Sequence, residues 1–147
     1  MQSNPHKIFE DYLKNTEGRY TKTKRLITDE IFSLNDHFEI ENFIDHLRVK
    51  TKLISRATVY RTIKQLLEAQ LLQKISTKDG KVFYEQSLPQ KEHAHIICNN
   101  CGKIIAMHES KLHKIIEEYC KKVEFSIDYQ SIHIYGECKN QKKCYKS

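Results

Sequence analysis

The chain has 147 residues, enough for one domain or two small ones, and its 39% hydrophobic and 30% charged content is that of a globular protein. No apolar run approaches the roughly 18 residues that would cross a bilayer, and Met1–Lys7 lacks a signal peptide's apolar core, so a cytoplasmic location with no membrane partner is expected. Five cysteines in such a chain argue for metal or redox use over a disulfide framework.

Asn4-Pro5 can start a helix, with Asn as cap and Pro in the first turn. Ile8, Phe9, Tyr12 and Leu13 then fall on one helical stripe, which Glu17-Gly18 ends. Thr21 or Thr23 can open a second helix carrying Leu26, Ile27, Ile31 and Leu34. Asn35-Asp36-His37 is a loop, and a third helix follows with Ile40, Phe43, Ile44 and Leu47 inward. Ser55 caps a fourth from Arg56, with Val59, Ile63, Leu66 and Leu67 as its buried stripe. Arg56, Tyr60, Arg61 and Lys64 fall off that stripe and are expected to be free.

After Gln70 the period changes to two. Leu71–Ser76 and Lys81–Glu85 read as strands around the Gly-containing loop Lys78-Asp79-Gly80. Short helices followed by a hairpin are the order of a winged helix-turn-helix, whose last helix enters the DNA major groove. Charge supports this. Between His46 and Leu67 lie six basic residues and no acid, and between Arg19 and Arg25 four and no acid. Such clusters suit a polyanion, with Arg19 and Lys22 added to the recognition-helix residues as DNA contacts.

Ser87–Gln90 holds the only proline after residue 5 and is taken as a hinge. The expected layout is α+β: residues 1–86 a winged-helix DNA-binding domain, 87–90 the hinge, and 91–147 a small α/β dimerisation and metal-binding domain. In the second part, strands are expected at His93–Ile97, Lys103–Met107, Phe125–Asp128 and Ser131–Tyr135. A helix opened by Glu109-Ser110 would carry Leu112, Ile115, Ile116, Tyr119 and Val123 on one face. This part is too small for a confident core of its own, so a homodimer is expected.

Cys98-x-x-Cys101 and Cys138-x5-Cys144 form two thiol pairs. Four thiolates suit a tetrahedral Zn²⁺ with Zn–S bonds of ~2.3 Å, so a structural zinc on Cys98, Cys101, Cys138 and Cys144 is expected. Gly102 stands where the turn back into a strand needs positive φ. His93 and His95 are two apart and face the same way on a strand. Cys120 reads as packing, not as a ligand.

Three segments together resemble the ferric uptake regulator family: Ser55-Arg56-Ala57-Thr58-Val59-Tyr60-Arg61-Thr62, His93–Ile105 with its C-x-x-C-G, and Ile134-Tyr135-Gly136-x-Cys138. The resemblance runs from about Tyr12 to Cys144. It implies a dimeric, metal-dependent transcriptional repressor of a near-palindromic double-stranded operator, with Fe²⁺-type sensing favoured. It also implies a regulatory site of His37, Glu85, His93 and His95, which suits Fe²⁺, Mn²⁺, Co²⁺ or Zn²⁺. Two departures matter. The carboxylate expected five residues after the second cysteine is Ala106, for which His108 is a candidate substitute. The family's auxiliary metal site falls on Glu92, Ala94, His113 and Gln130, of which only Glu92 and His113 ligate well. Glu85 stands where peroxide-sensing relatives typically have Asp.

Alternatives stay open at this point: a peroxide-, zinc- or manganese-responsive regulator of the same family, or a zinc or thiol enzyme using the C-x-x-C. A catalytic zinc needs an open coordination position, which four thiolates do not leave. A redox C-x-x-C belongs at a helix start, whereas strands flank this one.

Overall fold

The computed structural model describes residues 4–16, 18–34, 36–87, 94–128, 130–140 and 144. Glu92 and His93 lie outside them. Backbone contacts divide the chain into two compact units, Met1–Ser76 with Lys81–Lys91, and Thr77–Gly80 with Glu92–Ser147.

In the first unit, α1 (Pro5–Asn15) starts where Asn4 accepts the His6 amide at 3.0 Å, and it buries Phe9 and Leu13. α2 (Lys22–Ser33) is capped by Thr21, whose hydroxyl accepts the Lys24 amide at 3.2 Å. Its C-terminal carbonyls are closed by a side chain from far away. The Gln86 amide donates to the carbonyls of Ile31, Phe32 and Leu34 at 3.1, 3.1 and 2.7 Å, satisfying groups a helix end otherwise leaves bare. A short strand, β1 (Phe38–Glu39), precedes α3 (Ile40–Lys50), which buries Ile40, Phe43, Ile44 and Leu47. α4 (Arg56–Glu68) is capped by Ser55.

The expected stripe of α4 is shifted by one member. Thr62 is fully buried and Leu67 only half-buried. Thr62 can occupy the core because its hydroxyl donates to the Thr58 carbonyl at 2.8 Å, the usual way a helix hides a β-hydroxyl. β2 (Leu72–Ser76) and β3 (Val82–Gln86) pair antiparallel, and β1 adds to the other edge of β3, giving the order β1-β3-β2. Gly80, at φ +83°, makes the hairpin turn. β1 is too short for period-two reading to find. It exists because Phe38 and Glu39 pair with Tyr84 and Phe83. The core is one cluster from Phe9 to Leu72 to which α1–α4 and β2 contribute.

In the second unit, β4 (Ala94–Cys98) is the middle strand of the order β5-β4-β6. β5 (Ile104–Met107) runs antiparallel to it and β6 (His133–Gly136) parallel. α5 (Ser110–Lys122), capped by Glu109, connects β5 to β6. The expected strand at Phe125–Asp128 does not form. Glu124 takes φ +54° and the Phe125 amide donates back to the Cys120 carbonyl at 2.8 Å. These residues are spent closing α5 in a left-handed cap. The strand expected from Ser131 begins at His133. No residue of α5 is buried, and Ile115, Tyr119, Val123 and Phe125 are each more than half exposed.

Candidate metal centre and nucleic-acid surface

The β4–β5 turn is built to present thiols. The Cys98 amide donates to the Lys103 carbonyl and the Gly102 amide to the Cys98 carbonyl, each at 2.9 Å. Gly102 takes φ +74°, a conformation glycine adopts without steric cost. The Asn99 amide donates to the Gly136 carbonyl at 2.7 Å, joining this turn to the end of β6 just before Cys138. Cys98 and Cys144 are buried, Cys101 and Cys138 half-buried.

The four sulfurs converge, all within 4.8 Å of one another, with Cys98 to Cys144 at 3.9 Å and Cys101 to Cys138 at 4.0 Å. A tetrahedral ion with ~2.3 Å bonds spaces its sulfurs about 3.8 Å apart. The set therefore has the donors and spacing of a zinc site. Two N–H groups already point at the sulfurs: the Cys101 amide at Cys98 (3.4 Å) and the Asn100 side-chain amide at Cys144 (3.2 Å). Backbone donation from Cys101 pulls the Cys98 thiol down to about 6. Hydrogen bonding to Cys98 and burial push Cys138 up to about 12. Four crowded thiols cannot all ionise unaided, and a dication supplies the charge that lets them. Cys120 on α5 is not part of the cluster.

The other expected ligands are distributed as follows. His37 lies just before β1. Its Nδ1 sits 2.7 Å from Asp36 Oδ1 and its ring packs edge-on against Phe83. A carboxylate on one imidazole nitrogen orients the other towards an ion. His37 immediately precedes β1, which pairs with β3, the strand that carries Glu85. In the second unit, His95 is fully buried in β4. Its ring meets His133 edge-on at 5.6 Å between centroids. Burial, and then the charge of His95, holds the His133 imidazole below its ordinary value. His108 follows the last residue of β5 and is exposed. His113 on α5 faces Gln130, with Nδ1 to Nε2 at 2.6 Å. Among the described residues the four cysteines are the only group of three or more His, Cys, Asp or Glu side chains close enough to share an ion.

On the first unit, Arg19, Lys22, Arg56, Tyr60, Arg61 and Lys64 are all exposed. Arg56 and Tyr60 are not free, contrary to the sequence expectation. Arg56 Nη1 and the Tyr60 hydroxyl both donate to Glu41 Oε1, each at 2.7 Å. The Glu41 hydrogen bond raises the Tyr60 phenol above its ordinary value. Glu41 lies on α3, fifteen residues before Arg56, and no local pattern marks it. Lys24 is another functional candidate that the per-residue reading passed over. Burial, then the charge of Arg61, lowers its ammonium. Lys24 on α2 and Arg61 on α4 are thus close enough to repel each other.

The sequence profile of the Ferric uptake regulator family matches residues 15–135. The chain belongs to this family. It is 27% identical over 110 residues to the ferric uptake regulation protein of Haemophilus influenzae, covering 75% of each. It is 26% identical over 131 residues to the peroxide operon regulator of Bacillus subtilis, covering 89% of each. The fold is also that of the Helicobacter pylori ferric uptake regulator, with a TM-score of 0.76 at 22% identity, covering 100% of this chain and 99% of that one. The family is one of metal-responsive regulators rather than enzymes. The chain's relatives include both ferric uptake and peroxide regulators. Among the described residues no helix is long and apolar enough to cross a membrane.

Proposed function

We propose that this member of the family is a metal-dependent DNA-binding repressor that acts as a homodimer on a near-palindromic operator, with Fe²⁺ as the sensed ion. A structural Zn²⁺ sits on Cys98, Cys101, Cys138 and Cys144. Residues 1–86 carry DNA binding, 87–90 the hinge, and 91–147 dimerisation. The observation that carries the DNA-binding part is the exposed set Arg56, Tyr60, Arg61 and Lys64 on α4, with Arg19 and Lys22 exposed just before and at the start of α2. Backbone-tracking cations beside a recognition helix are the footprint of a duplex binder. The exposed apolar face of α5 supports the dimer, since an unpartnered stripe of this size marks an interaction surface.

The regulatory ion would use His37 and Glu85 from the first unit with His93 and His95 from the second. An auxiliary ion on Glu92 and His113 is a weaker proposal, because His113 already faces Gln130. An ion raises DNA affinity only by its preference for the DNA-competent state. Glu85, where peroxide-sensing relatives typically have Asp, supports iron over peroxide sensing.

The test is a DNA-binding titration against Fe²⁺, Mn²⁺, Zn²⁺ and peroxide in parallel, on palindromic and random duplexes. His93→Ala with His95→Ala is expected to abolish metal-dependent binding and to leave the dimer and its zinc intact. His37→Ala is expected to act in the same direction, more weakly. Equal binding to both duplexes at ~150 mM salt, where the Debye length is about 8 Å, would refute sequence-specific regulation. Wild-type metal response in all variants would refute the ligand set.

A further inference from the structure

The family pattern leads one to look for a carboxylate at position 106, and Ala106 has no donor atom. His108 is the substitute nearest in sequence, but the sheet register points to a different residue. On β5 the partner of His95 is Ala106, and on β6 it is His133. Residues opposed on neighbouring strands project from the same face. His95 is therefore flanked by one residue that cannot ligate and one that can. His108 lies beyond Met107, the last paired residue of β5.

The ring geometry matches ligation. Two imidazoles bound to one tetrahedral ion through nitrogens ~2.1 Å away have centroids about 5.3 Å apart. The His95 and His133 centroids are 5.6 Å apart, close to that separation. His95 is fully buried and His133 half-buried. The Ser131 hydroxyl lies 3.2 Å from His133 Nε2. An outer partner on one nitrogen fixes the ring and directs the other nitrogen to the ion.

We propose that His133 is a ligand of the regulatory metal, paired with His95 and standing in for the missing carboxylate. This rests on the reading of His95 as a regulatory ligand. An imidazole in place of a carboxylate removes one negative charge from the set. It also moves the donors from oxygen towards nitrogen, which favours Fe²⁺, Co²⁺ and Zn²⁺ over Mn²⁺.

The test uses the full chain with zinc in the cysteine cluster, titrated with Co²⁺ and followed by its d–d absorption and by competition. His133→Phe keeps the edge-on ring without a nitrogen, and His133→Gln keeps a polar side chain. Both are expected to lose at least about tenfold in Co²⁺ affinity, since loss of even an outer-shell partner costs 10–100-fold. The d–d band should change with the ligand count, and His108→Ala should bind as wild type does. Wild-type affinity in both His133 variants, with His95→Ala weakened, would overturn the proposal while sparing the regulatory site. A loss confined to His108→Ala would do the same. If wild type takes up no Co²⁺ beyond the cluster, or His95→Ala matches wild type, both readings fall. Loss of cluster zinc from both His133 variants would mark His133 as packing and overturn its role as a ligand.

Discussion

Glu41→Gln is the most informative single change on the DNA face, because Glu41, on α3, is the acid that holds two side chains of the recognition helix α4. The fold should tolerate it. Arg56 and Glu41 are 57% and 40% exposed, and an ion pair that open to solvent contributes at most about 1 kcal/mol. Binding should change in two opposite ways. The variant removes one negative charge beside the duplex and frees Arg56 for a phosphate, so about one more counterion is released on binding. The slope of log K against log salt should steepen by about 0.9, which is about 3.5-fold in affinity between 50 mM and 200 mM salt. Specificity should fall as well, since the neutral amide oxygen of Gln holds Tyr60 and Arg56 less firmly than the charged carboxylate does. The palindrome-over-random ratio is expected to drop by roughly tenfold, within what one base-reading contact supplies. Fluorescence anisotropy on both duplexes across a salt series measures both quantities. An unchanged slope together with an unchanged ratio would refute the role given to Glu41. Wild-type protein that binds no duplex would instead refute the DNA-binding reading itself.

Cys98→Ser should release the zinc and unfold the second unit, because its turn is organised on that thiol. Metal analysis and thermal unfolding check this, and a zinc-loaded, cooperatively folded variant would contradict it. Arg61→Ala should cost about 1–3 kcal/mol on the operator if Arg61 reads a base. Lys22→Ala should weaken all duplexes alike and reduce the salt slope by about 0.9, so a salt series on both sequences separates the two roles. Tyr119→Glu places a charge on the exposed apolar face of α5. It is expected to shift the protein to a monomer in light scattering, with zinc retained.

Much of this molecule is determined locally. Asn4, Thr21, Ser55 and Glu109 cap the helices they precede, because a cap needs only the next three residues. Period and turn chemistry suffice for the hairpin and for the C-x-x-C turn with its left-handed Gly102. The convergence of Cys138 and Cys144 on that turn was legible too, since metal chemistry gives paired thiols few other uses.

Tertiary structure decided what depends on neighbours distant in sequence. Leu67 and Thr62 exchange roles because helix packing, not hydrophobicity, chooses the buried face of α4. Phe125–Asp128 has strand composition but no strand, since its first amide is committed to closing α5. β1 exists only against β3, the strand that carries Glu85. Glu41 meets Arg56 and Tyr60 across two helices, and His133 meets His95 through a parallel pairing that α5 must first bridge. Local order is written in spacing, but the register between distant segments is set only when their side chains compete for one core.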